Sequence, residues 1–185
     1  MGLLKKLFIF VLFLVPLGEV IRIDFSKGAV IKPLDIGVVL LVLSWLIYIF
    51  LKKQKIKYSY LFIPLILFAI SGFFSLIISN LHLSLNEFLI SFSYLFRWIA
   101  YAGIFFVVSD FDEGFRSKIS KLLTVVGCLI VGLGYIQYFF YSNLRNLYYL
   151  GWDEHMVRMF SVFLDPNFAG AFFFLFFLLF FYLFL

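Results

Sequence analysis

Long apolar stretches separated by short charged ones dominate this chain. Six of them approach the roughly 20 residues that a helix needs to cross a bilayer. They are Leu3–Leu17, Asp35–Leu51, Tyr58–Ser79, Phe88–Ser109, Ile119–Tyr141 and Pro166–Leu185. The pattern predicts an all-α, polytopic integral membrane protein with about six spans, forming a single transmembrane domain over residues 1–185. Glu19–Lys32 mixes charge with apolar residues and is expected to lie in the outer interface without crossing.

Composition agrees. The chain is 65% hydrophobic and 14% charged, more apolar surface than a soluble domain of 185 residues can hide. Its net charge of +5 sits at the ends of the apolar runs, so it predicts membrane orientation and no nucleic-acid partner. With the N-terminus inside, the inner segments carry Lys5, Lys6, Lys52, Lys53, Lys55, Lys57, Arg116, Lys118 and Lys121. The outer ones carry Arg22, Lys27, Lys32, Arg145 and Arg158. This places the N-terminus in the cytoplasm and Ser142–Asp165 outside. No small-x-small cleavage site follows the first apolar run, so it is read as a retained span. Cys128 has no second cysteine to bond.

Small residues mark close helix packing: Ser71, Gly72, Ser75 and Ser79 in the third span, Gly127, Gly132 and Gly134 in the fifth. Two arginines invite a chemical reading. Arg97 lies half-way along the fourth apolar run, on one helical face with Ser91, Tyr94 and Tyr101. A cation there must face a cavity or a partner. It either binds a phosphate or substrate hydroxyl, or snorkels or pairs with a carboxylate such as Glu87. Arg158 precedes the sixth span, where Asp165 is a candidate N-cap and Pro166 the first helical residue. Free N–H groups at that helix start, with a guanidinium beside them, would suit a diphosphate. Against this, the charge of Asp165 repels phosphate, and the other reading is an interfacial arginine near anionic lipid, beside helix punctuation. Asp153, Glu154 and His155 read as a solvated cluster, since three consecutive residues cannot wrap one metal ion. No phosphate-binding glycine loop, zincin motif or serine elbow is present.

The segment Arg158-x-x-Ser161-x-Phe163-x-x-Pro166-Asn167-x-x-Gly170, leading into a span, resembles the O-antigen ligase and polymerase-like family of bacterial membrane glycosyltransferases. Lys32-Pro33-Leu34-Asp35-Ile36 and Leu95-Phe96-Arg97-Trp98-Ile99 followed by Tyr101 resemble further parts of that family. The resemblance implies a GT-C-like bundle in the bacterial cytoplasmic membrane. Such enzymes transfer or polymerise oligosaccharide from an undecaprenyl-diphosphate carrier on the outer face. The acceptor is a glycan, lipid A core or a protein, and no cofactor or metal is needed. Carried over, Arg158 and Arg97 would bind the diphosphate, and Ser161, Asp165, Pro166 and Asn167 would shape the site. Family members are about twice as long, and the loop bearing their catalytic histidine lies beyond the point reached by Leu185. The expectation is that this chain is an N-terminal part, inactive alone. The alternatives are a small transporter subunit for an anionic solute, with Arg97 and Gln137 on the pathway, and a non-catalytic membrane scaffold.

Overall fold

The computed structural model describes residues 1–26, 29–54, 60–78 and 83–185, with the backbone alone for 24–26 and 29. It is mostly helical. Helix α1 is Gly2–Leu14, extended by a 3-10 turn at Val15–Leu17. Strands β1 (Ile23–Ser26) and β2 (Ala29–Ile31) follow, then α2 (Pro33–Lys52), α3 (Phe62–Ile78), α4 (Leu85–Asp110), α5 (Glu113–Phe140) and α6 (Pro166–Phe184). Each apolar stretch read from the sequence forms one of these helices. Four are long and apolar enough to cross a membrane, namely α2, α4, α5 and α6. Helices α1 and α3 are shorter, at 13 and 17 residues. Tyr58, Ser59 and Ser79, expected in the third span, lie outside the described residues, as do Lys27, Lys55 and Lys57. The Glu19–Lys32 segment contains a strand pair that the sequence reading did not anticipate. β1 and β2 run antiparallel, with Ile23 opposite Ile31 and Asp24 opposite Val30, and an irregularity between Asp24 and Ser26.

The chain divides into two compact units. The first comprises Met1–Val11 and Ile23–Glu113, and the second Leu12–Arg22 and Gly114–Leu185. In the first, α2 and α4 form the main packing layer and α3 lies along α4. Val38 and Leu41 are fully buried between them, as is Val107. Small residues allow the close approach: a side chain on Gly103 would meet Val42 at 2.9 Å, and one on Gly72 would meet Leu95 at 2.9 Å. Aromatic rings fill the wider gaps. Trp45 stacks on Phe106 at 6.3 Å, and Phe68 packs on Trp98 at 4.5 Å. Near the chain start, Lys5 pairs with Asp112, and Phe8 meets Phe111 edge-on at 5.5 Å.

In the second unit, Val126, Ile130 and Val162 form a core joined by Val15, Leu133, Phe163, Phe172 and Phe173. Gly18 closes the turn after α1 at φ +48°, and its amide neighbour Glu19 donates to the Val162 carbonyl at 2.8 Å. A Cβ at Gly18 would lie 2.3 Å from that carbonyl oxygen, so only glycine fits. The glycines of α5 divide in role. Gly127 admits the Phe176 ring of α6, Gly134 admits Met159, Phe173 and Ser161, and Gly132 faces open space.

The outward surface is apolar along the helices. Phe50, Phe140, Phe174, Leu175 and Phe177 are all exposed. Water would penalise such a surface heavily, whereas lipid chains would not. In lipid, helix association rests on close packing, so Gly127 carries a prediction. Gly127→Val should force α5 and α6 apart, costing about 1–3 kcal/mol as overpacking does, while Gly132→Val should be near neutral. Thermal unfolding of the two variants in detergent, followed by size-exclusion chromatography, compares them directly. Equal melting temperatures would refute the packing role of Gly127.

Candidate functional site

Two polar constructions interrupt the apolar helices, one in each unit. The first is built on Asp35. Pro33 starts α2 with its φ already helical and no N–H to satisfy. Asp35, two residues on, returns its Oδ2 to the Lys32 backbone N–H at 3.1 Å and so caps the helix. The same carboxylate then meets α4. Arg97 Nη2 lies 3.2 Å from Oδ2, and the Tyr101 hydroxyl donates to Oδ1 at 2.9 Å. Arg97 Nη2 also donates to the Val30 carbonyl of β2, and its guanidinium lies 5.2 Å from the centre of the Tyr94 ring. Tyr94, Arg97 and Tyr101 therefore share one polar face, as helical spacing predicts. The carboxylate partner of Arg97 is Asp35. Glu87, the example named from the sequence, instead caps its own helix by accepting from the Ser84 backbone N–H at 2.8 Å. Sequence reading placed Asp35 at a helix start without seeing this second role. The signal was a carboxylate in the first turn of an otherwise apolar helix.

The pair also fixes the height of Arg97 along α2. Helix α2 has 20 residues, and 1.5 Å per residue gives ~30 Å, about one hydrocarbon thickness. Arg97 is level with the first turn of that helix. The turns of α4 from Leu85 to Ser93 extend past the α2 start.

The second construction holds the segment before α6. Gln137 of α5 makes four hydrogen bonds through one amide. Its Nε2 donates to the carbonyls of Tyr141 (2.8 Å) and Arg158 (3.2 Å). Its Oε1 accepts from the backbone N–H groups of Phe160 (2.8 Å) and Ser161 (3.0 Å). Ser161 is buried, and its hydroxyl donates to the Ile130 carbonyl at 2.8 Å. The segment itself is strained: His155, Val157, Ser161 and Leu164 have φ of +43°, +52°, +49° and +55°. A β-branched residue such as Val157 rarely adopts that conformation, and such strain persists only where the surroundings enforce it. Arg158 follows Val157 directly. Its side chain is exposed, and its guanidinium has no partner among the described residues.

Asp165 is the N-cap of α6, as the sequence predicts. Its Oδ1 accepts from Asn167 N (2.7 Å) and Phe168 N (2.9 Å), and its carbonyl accepts from Ala169 N (3.0 Å). Pro166 has no N–H to offer. The expected free donors at this helix start are thus already occupied, which removes the helix terminus as an anion cradle. Of the predicted residues, Ser161, Asp165 and Pro166 build the segment, whereas Arg158 and Asn167 are exposed from it. Arg97 belongs to the other unit and to the Asp35 construction. In the Asp153–His155 cluster, Glu154 pairs with Arg145 at 3.1 Å. Arg22 lies over the Trp152 ring at 5.2 Å.

The geometry defines a mostly helical chain with four helices of membrane-crossing length and two polar constructions built into them. Comparison with protein-family models, with curated proteins and with solved structures found no match.

Two outcomes follow. Asp35→Ala leaves a part-buried guanidinium without its carboxylate and should cost about 1–3 kcal/mol, less than a fully buried pair, whereas Asp35→Leu combined with Arg97→Met should recover most of that loss. Chemical unfolding of the single and double variants measures both, and a double variant as unstable as Asp35→Ala would contradict the account. Gln137→Leu removes four bonds and should expose residues 155–161 to protease and hydrogen exchange without melting α5. Unchanged protection of that segment would show that Gln137 is not its clamp.

Proposed function

We propose that this chain forms part of a bacterial membrane glycosyltransferase of the O-antigen ligase and polymerase type. It would transfer or polymerise oligosaccharide from an undecaprenyl-diphosphate carrier. One observation supports this reading above the others. Arg158 stands exposed and unpartnered among the described residues, on a strained segment that Gln137 and Ser161 hold against a membrane-length helix. Strain at an element that surrounding bonds enforce is a feature of binding sites. An arginine offers the forked N–H geometry that diphosphate oxygens require. The exposed amide of Asn167 follows on the same segment. Arg158 is the residue assigned to the donor diphosphate. Arg97 lies in the other unit, where Asp35 already balances its charge, and takes no part in this assignment.

In this reading the six helices are spans of a GT-C-like bundle in the cytoplasmic membrane, with the N-terminus in the cytoplasm. The Arg158 segment then faces the outer side, where the carrier presents its glycan. The acceptor would be a glycan, lipid A core or a protein. The diphosphate is itself a good leaving group, so the residues of this chain would bind and orient it, with no metal required.

Arg158→Ala in the protein expressed from its complete reading frame should abolish glycan transfer while membrane insertion and melting temperature stay unchanged. Arg158→Lys should retain partial activity, since it keeps the charge and loses the fork. Normal transfer by Arg158→Ala would sink the assignment.

A further inference from the structure

Arg97 has more hydrogen-bonding capacity than the protein uses. A guanidinium carries five N–H donors. Nη2 serves the Val30 carbonyl and the Asp35 carboxylate. Nε and Nη1 have no acceptor among the described residues. The side chain is 25% exposed and lines a groove of about 410 Å³ between α2 and α4, roofed by β2. The volume is in the range of small-molecule sites. Beside the Arg97–Asp35–Tyr101 cluster the groove walls are mostly apolar: Ile36, Val39 and Leu40 of α2, Phe96 and Ala100 of α4. Polar donors thus sit level with the start of α2, and apolar walls adjoin them.

A site of that form needs an amphiphile. Water alone would cover the apolar walls badly, and a hydrocarbon alone would leave cationic donors without acceptors at the edge of a low-dielectric layer. A free anion would use the donors and leave the apolar walls uncovered. We propose that this groove binds one membrane phospholipid, from the leaflet that meets the start of α2. Its phosphodiester oxygens accept from Arg97 Nε and Nη1, and one acyl chain lies along Val39, Leu40 and Phe96. Asp35 holds the guanidinium in place from the opposite side, so the bound phosphate meets a cation already oriented. The site lies in the first unit, away in sequence from the Arg158 segment, and it stands whether or not the chain belongs to a glycosyltransferase.

The test is photo-crosslinking of the full 185-residue chain in bilayers containing phosphatidylglycerol with a diazirine in one acyl chain. Diacylglycerol with the same modified chain is the control. Labelled peptides from α2 and α4 that include Val39 or Phe96 are the expected result, with diacylglycerol labelling them about tenfold less, as loss of a charged hydrogen bond predicts. Val39→Trp should block the groove and remove the label while leaving the Asp35–Arg97 pair intact. Leu40→Trp, on the exposed side of the same wall, serves if Val39→Trp does not fold. Arg97→Lys should narrow the preference for phosphatidylglycerol over diacylglycerol. Equal labelling by the two lipids would overturn the proposal, as would labelling that a folded groove-filling variant leaves unchanged. Displacement of the label by a polyprenyl phosphate but not by unmodified phosphatidylglycerol would also overturn it, by assigning the groove to a different lipid.

Discussion

A carboxylate in the first turn of α2 governs the first unit. Asp35 caps its own helix, balances Arg97 and accepts from Tyr101. Each bond depends on the others, because a lone carboxylate or a lone guanidinium is costly where water is scarce. Together they tie β2, α2 and α4 at one level. A second polar bond fixes the other end of the same helix pair: Trp45 Nε1 donates to Asp110 Oδ2 at 2.8 Å. Between the two ties lie Val38, Leu41 and the Gly103–Val42 contact. Apolar packing alone leaves neighbouring membrane helices free to slide, since one lipid-like contact resembles the next. Two directional bonds at separate levels remove that freedom and set the register.

The second unit solves a related problem with a neutral amide. The chain between α5 and α6 has backbone groups that neither a helix nor a sheet satisfies. Gln137 takes up both kinds, donating to two carbonyls and accepting from two N–H groups. Irregular backbone can then lie against a membrane-length helix at tolerable cost. Ser161 adds one further bond to the Ile130 carbonyl, and Gly134 makes room for it. The positive φ values at Val157, Ser161 and Leu164 are the conformational consequence of holding a short segment this tightly. Arg158 is displayed by that segment instead of being absorbed into it.

The two arginines thus end in opposite electrostatic states. Arg97 is paired, oriented and half committed; Arg158 is exposed and uncommitted among the described residues. The sequence had offered both as candidate diphosphate ligands.

Hydropathy located the six α-helices of the described residues, though only four of them are long and apolar enough to cross a membrane; a run of apolar side chains reports directly on a helix that must satisfy its own backbone. The Asp165 cap was equally legible, since an N-cap acts on residues two and three positions away. Gly127 and Gly134 of α5 announced close packing without naming the partner, whereas Gly132, read the same way, faces open space. What the sequence did not carry was every bond between distant positions: Asp35 with Arg97, Trp45 with Asp110, Gln137 with the Arg158 segment. It also missed β1 and β2, whose short mixed runs hold no clear period. Helices are set by local periodicity and by the solvent around them. The pairing of one buried polar group with another is set by which helix faces meet and at what height, and that only the tertiary structure decides.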